Sequence, residues 1–179
     1  MEEIFSLTDG SKLLIRPAIP NDAKDIIKFV NLVSTESDNL SMGEGDFDYT
    51  EDKERQYLND LRKSPNSIMI IGIIGDEIVS VSDLHGGGRP RIQHYVELGV
   101  SVKKSSWNIG VGRSMMEFLI KWAKNTQIIR KINLQVRISN KWAIHLYEDL
   151  GFKIEGIITR GFYINNEFFD LYMMGLEID

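Results

Sequence analysis

The sequence predicts a mixed α/β fold: a twisted, mostly antiparallel sheet of about six to seven strands with helices on both faces. Three observations carry that expectation. Stretches of strand and helix periodicity follow one another in the order β-α-α-β-β-β-α-β-α-β-β, which asks for a mixed sheet covered on both sides. The 179 residues are read as a single domain, 1–179, long enough to bury a core without disulfides or a structural metal. Hydrophobic residues at 42% and charged residues at 26% match an ordinary globular chain.

Lys12 to Arg16 reads as the first strand, stopped by Pro17 and Pro20. Asn21 then stands as the capping residue of a helix with Ile26, Ile27, Phe29, Val30 and Val33 at its apolar positions. Ser34 to Tyr49, rich in Ser, Asp and Gly, reads mostly as loop. Thr50 caps a second helix to about Lys63, with Glu51 and Asp52 at the positive end of its dipole. The apolar run Ser67 to Ile74 turns at Gly75-Asp76 into Glu77 to Leu84, a hairpin. His85-Gly86-Gly87-Gly88-Arg89-Pro90 reads as a loop before a long strand, about Gln93 to Lys103. From Gly110 to Asn125, Met115, Leu119 and Trp122 recur at helical spacing, as do Met116, Ile120 and Ala123. Lys131 to Arg137 is a short strand. Asn140 to Leu150 is a helix with Ala143, Leu146, Tyr147 and Leu150 on one face, closed by Gly151 in the left-handed conformation. Strands at about Phe152 to Thr159 and Phe168 to Ile178 finish the chain.

Composition removes several function classes. With 26 acids against 21 bases the net charge is −5, a poor match for nucleic acid. The chain has no cysteine, which excludes disulfide scaffolds, thiolate metal sites and a cysteine nucleophile. The longest apolar stretch, Ile68 to Gly75, is too short to span a bilayer, and Met1-Glu2-Glu3 lacks the basic start of a secretion signal. A cytoplasmic protein with no membrane or nucleic-acid partner is expected.

The strongest local motif runs from Val100-Ser101-Val102 through Trp107-Asn108-Ile109-Gly110-Val111-Gly112-Arg113, from a strand into a helix. Glycines let the backbone approach a bulky anion, and the free N–H groups of a helix start point at it. Two readings stand: a phosphate cradle, or an ordinary strand-to-helix turn that needs glycine for its dihedrals. The dinucleotide fingerprint fails because Met115 stands at its third glycine, and the nucleotide-triphosphate loop fails because Arg113 follows Gly112. His85-Gly86-Gly87-Gly88 looks like an oxyanion loop, but no Gly-x-Ser-x-Gly nucleophile turn accompanies it.

About 30 residues after the glycine turn comes Asn140-x-x-Ala143-x-x-x-Tyr147-x-x-x-Gly151-Phe152. With both motifs in place the sequence resembles the GNAT superfamily, the GCN5-related N-acetyltransferases, with its core match from about Gln93 to Phe152. Trp107 and Asn108 depart from the family pattern, which has Gln or Arg and often Gly there. The resemblance implies a sheet splayed between the fourth and fifth predicted strands, with the pantetheine arm of acetyl-CoA adding to the strand of Val100 and Val102. A backbone N–H near Val100 would stabilise the oxyanion. Cofactor contacts are expected from Val100, Val102, Trp107 to Arg113, and Asn140, whose side chain equally suits a helix cap. No metal is expected.

The resemblance also implies roles for two side chains. Tyr147 matches the tyrosine that protonates the departing thiolate; as a plain core residue it would share a face with Leu146 and Leu150. Glu97, between Val96 and Leu98 and expected in mid-sheet, matches the base that takes the ammonium proton; the alternative is a strand-edge carboxylate that faces solvent or pairs with Arg91. The expected activity is direct transfer of acetyl from acetyl-CoA to a primary amine, such as a polyamine or a peptide amine, in a ternary complex. A non-catalytic acyl-CoA-binding module is the alternative, and a dinucleotide oxidoreductase a distant third. The acids Glu36, Asp38, Glu44, Asp46, Asp48, Glu51, Asp52 and Glu54 crowd one stretch, which suits a cationic acceptor or merely a solvated loop. A homodimer built by the last strands is common in the family.

Overall fold

The computed structural model describes residues 1–179. Its elements are β1 (Glu3–Ser6), β2 (Lys12–Pro17), α1 (Ala23–Glu36), α2 (Glu51–Leu61), β3 (Ile68–Ile74), β4 (Glu77–Gly86), β5 (Tyr95–Val102), α3 (Val111–Thr126), β6 (Lys131–Arg137), α4 (Lys141–Asp149), β7 (Lys153–Ile164) and β8 (Glu167–Glu177). All eight strands form one sheet in the order β1-β2-β3-β4-β5-β6-β8-β7. Every neighbouring pair is antiparallel except β5 and β6.

The expected count of six to seven strands was short by β1. That strand has four residues, and its Ile4 is exposed, so no buried alternation marks it. With β1 counted, the expected splay between the fourth and fifth strands falls between β5 and β6. The helix cap expected at Asn21 is also corrected. Pro20–Asp22 form a short 3₁₀ turn, where the Asp22 carboxylate accepts the Ile19 N–H and both arms of Arg16. Asn21 instead accepts from Arg55 of α2 at 3.2 Å. The caps at Thr50 and Asn140 form as expected, each accepting an N–H three residues on, and Gly151 takes φ +94°.

Strand alternation divides the core in two. Ile70 and Ile71 are both fully buried, one on each face of β3, which explains the unbroken apolar run there. One face packs under α3 and α4, with Met115, Met116, Phe118 and Leu119 against Leu84, Val96, Ile132 and Leu134. The other packs under α1 and α2, with Ile26, Phe29, Val33 and Leu58 against Ile71 and Val81. No helix is long and apolar enough to cross a membrane.

Candidate active site

Register creates a slit in the middle of the sheet. β5 and β6 pair over three rungs only, Tyr95–Lys131, Val96–Ile132 and Glu97–Asn133, and then part. β4 stays paired to β5 as far as Val102 and β8 to β6 as far as Arg137, so each branch is braced on its outer side. The His94 carbonyl accepts N–H groups of Arg130 and Lys131 on the β6 side, while the Lys103 N–H donates to Val79 on the β4 side. The Leu98 N–H closes the third rung, and alternation turns the Leu98 carbonyl, both groups of Val100 and the Val102 N–H toward the slit. Such an edge can bind an extended amide-bearing chain as it would a further strand.

At the open end of β5 the chain turns into α3 through left-handed residues at Asn108 (φ 62°) and Gly110 (φ 101°). A Cβ on Gly112 would lie 3.6 Å from Leu146 and 3.9 Å from Val102, so the first turn of α3 sits against both β5 and α4. No protein group accepts the N–H groups of Asn108 through Arg113. Consecutive free donors at a helix N-terminus fit an anion such as a diphosphate.

Side chains around this cradle are mostly engaged elsewhere. The Trp107 indole N–H donates to the Val102 carbonyl at 2.7 Å, which locks the loop. Arg113 pairs with Asp149 of α4 at 2.7 Å, and Lys103 pairs with Glu77. The Lys104 ammonium stands 6.0 Å from the Trp107 ring centre. The cradle is a backbone device.

Tyr147 is buried on α4, its ring 5.9 Å from that of Phe152, and no protein group bonds its hydroxyl. Burial pushes its pKa up to about 12. Asn140 accepts the Ala143 N–H at 3.3 Å, so its carbonyl is a cap and only its amide N–H groups are free. Glu97 is exposed, not packed in mid-sheet as expected, because it points to the α1–α2 face at the last rung before the slit. It pairs there with Asn133, whose amide donates at 3.1 Å, and not with Arg91.

Next to Glu97 lies a polar cluster that the sequence reading missed. His85 is directly opposite Glu97 in the β4–β5 register and shares its face. The loop expected at His85 is in fact the end of β4. His85 Nε2 is 2.7 Å from Asp83 and 3.0 Å from the Tyr57 hydroxyl of α2. The hydrogen bond to Asp83 raises the His85 pKa against the opposing effect of burial. Burial, then the charges of Asp83 and Glu54, push the Tyr57 hydroxyl well above its usual range. Glu54 itself is 1% exposed with an unpaired Oε1, and burial raises its pKa. The two-residue spacing of Asp83 and His85 was a signal that they share a strand face. Tyr57, 28 residues from His85, left none.

The cradle and Tyr147 thus lie on the α3–α4 side of the slit, and the carboxylate–imidazole cluster on the α1–α2 side. Residues 34–152 match the model of the acetyltransferase (GNAT) family, and the chain belongs to that family. The L-amino acid N-acetyltransferase AaaT of Escherichia coli (strain K12) is 29% identical over 114 residues, which span 64% of this chain and 70% of that protein. A GNAT-family acetyltransferase from Streptococcus pneumoniae superposes with a TM-score of 0.91 at 35% identity, over 93% of this chain and 99% of that one. The fold of yncA from Salmonella typhimurium, solved with its cofactor acetyl-CoA, matches with a TM-score of 0.81 at 18% identity, over 93% and 92% of the two chains.

Proposed function

We infer that this chain, as a single domain, is an N-acetyltransferase that moves acetyl from acetyl-CoA directly to a primary amine. The observation that carries this reading is the slit: a strand edge with free backbone groups at the Leu98 carbonyl and Val100, running into the free N–H groups at the start of α3. The pantetheine amides suit the edge and the diphosphate suits the cradle. With the thioester carbonyl at the Val100 N–H, the two faces of the slit divide the reaction. The amine enters from the α1–α2 side as its ammonium ion and gives a proton to Glu97, directly or through water. Its lone pair then attacks the thioester carbon, and the Val100 N–H stabilises the oxyanion. The C–N bond forms, the C–S bond breaks, and the sulfur leaves toward the α3–α4 side, where Tyr147 stands.

Burial defines the part Tyr147 plays. A hydroxyl pushed up to about 12 stays protonated, and the same burial also disfavours a bare thiolate beside it. Tyr147 therefore acts as a hydrogen-bond donor that stabilises charge growing on sulfur. Asp83 and Glu97 make the acceptor side anionic, which favours a cationic amine, and the acidic segment from Glu36 to Glu54 adds to that field. Within that segment several acids have internal partners: Glu36 accepts the Lys104 N–H, Asp46 the Gly43 N–H, and Glu51 pairs with Arg55. The reading also places the reaction in the cytoplasm, and a second copy of the chain against β7 and β8, where Ile157, Tyr163 and Phe168 are exposed.

Thiol release from acetyl-CoA across an amine panel tests the proposal, together with calorimetry of CoA binding. Turnover with at least one amine is expected. Binding of CoA without thiol release for any amine would make the chain an acyl-CoA-binding module instead.

A further inference from the structure

Arg137 ends β6 with a charge that no carboxylate in the protein balances. Arg16, Arg55 and Arg113 each meet an acid, while Arg137, like Arg62, Arg89, Arg91, Arg130 and Arg160, meets none. Its guanidinium is nonetheless held in place. It lies 3.9 Å from the centre of the Phe169 ring, and one Nη donates to the Asp38 carbonyl at 3.0 Å. Its Nε is shut away from solvent with no acceptor, a state that folded proteins rarely leave uncompensated. With Nε closed off, the Nη hydrogens not engaged by Asp38 are the donors left for a ligand, and a guanidinium edge matches a carboxylate, which takes two parallel N–H bonds.

Its place in the fold says whose carboxylate that is. Arg137 alternates with the buried Leu134 and Val136, so it shares the α1–α2 face with Asn133 and Glu97. Continued past the last paired rung, Glu97–Asn133, the register puts Val136 level with Val100 and Arg137 one residue beyond. At about 3.3 Å per residue, Arg137 starts one step from the level of the oxyanion donor. It is on the acceptor's face, away from the cradle that suits the diphosphate.

We propose that Arg137 anchors a carboxylate of the acceptor, and that the acceptor is an amino acid in chemical class, its amine toward Val100 and its carboxylate on Arg137. The ammonium end meets Glu97 and Asp83, so the opposite charges of the substrate meet opposite charges along one face. This rests on the acetyl-transfer reading above.

The test compares amino acids with their own amides, as in leucine against leucinamide, for kcat/KM by thiol release. The free acids should exceed the amides by about tenfold or more, as expected for a charge-assisted pair. In Arg137→Gln the ratio should fall to near one, and Arg137→Lys should lie between. Equal rates for acids and amides in the parent, or an unchanged ratio in Arg137→Gln, would overturn the proposal. A matching loss of acetyl-CoA affinity in Arg137→Gln would move Arg137 to the cofactor and overturn it too. Calorimetry of leucine and leucinamide on the CoA-saturated protein separates this from the parent reading. Acid binding that Arg137→Gln abolishes, with no turnover, upholds the anchor while acetyl transfer fails; no preference for the acid sinks the anchor whether or not transfer occurs.

Discussion

Tyr147 and His85 show how surroundings turn an ordinary side chain into a committed one. The Tyr147 hydroxyl, pushed up to about 12 by burial, keeps its proton throughout the working range of an enzyme. Tyr147→Phe keeps the ring and removes only the hydroxyl proposed to donate to sulfur. It should lower kcat by about 10²-fold or more while leaving CoA affinity nearly unchanged, measured by stopped-flow thiol release and calorimetry. Because the hydroxyl does not ionise below about 12, no alkaline loss of rate near pH 9 should vanish in this variant. His85 answers to Asp83. Its folded pKa is raised, so its pairing contributes stability that is complete below about 6.5 and is lost as pH rises through the folded value. An NMR titration should show His85 titrating above ~6.5 in the parent and lower in Asp83→Asn. An unmoved His85 would mean that Asp83 does not hold the proton.

Among the elements, α3 offers the sharpest test of the cradle. A side chain on Gly112 meets only ordinary contacts, and an acid in the first turn suits the helix dipole. Gly112→Asp should therefore fold, yet repel a diphosphate at the same turn. Calorimetry should find CoA affinity weaker by about tenfold or more, which is about 1.4 kcal/mol. Elements with local signals were legible in the sequence: the caps at Thr50 and Asn140, the left-handed Gly151, and the Gly75-Asp76 hairpin all stand as read. β1 was not legible because four half-exposed residues carry no period. Asn21 misled because the Arg16–Asp22 pair, six residues apart and set by tertiary packing, took over the helix start. The motifs singled out the start of α3 and Tyr147 as candidates. On the proposed acceptor side the sequence offered Glu97 and the acidic run, but not Tyr57, His85 or Arg137, whose contacts cross layers that no local spacing records.

For the molecule as a whole, the outer pair β7–β8 and the central slit carry the remaining consequences. If a second copy covers Ile157, Tyr163 and Phe168, light scattering should report twice 20.5 kDa. Ile157→Glu should then halve the mass with the fold intact, whereas a parent that stays monomeric at millimolar concentration would retire the dimer. The slit also divides the sheet into two blocks, β1 to β5 and β6 to β8, which touch edge to edge through three rungs alone. Hydrogen exchange should make that division visible. Amides of Val100 and Val102 lie past the last rung and have no partner strand, so they should exchange with deuterium orders of magnitude faster than those of β3 and β4 in the same sheet. In the proposed complex the pantetheine arm would give the two blocks a shared strand in place of a gap. The same two amides should then become slow together, along with those from Asn108 to Arg113. The fast-exchanging seam in the middle of an otherwise rigid sheet would thereby be its own recorder of occupancy.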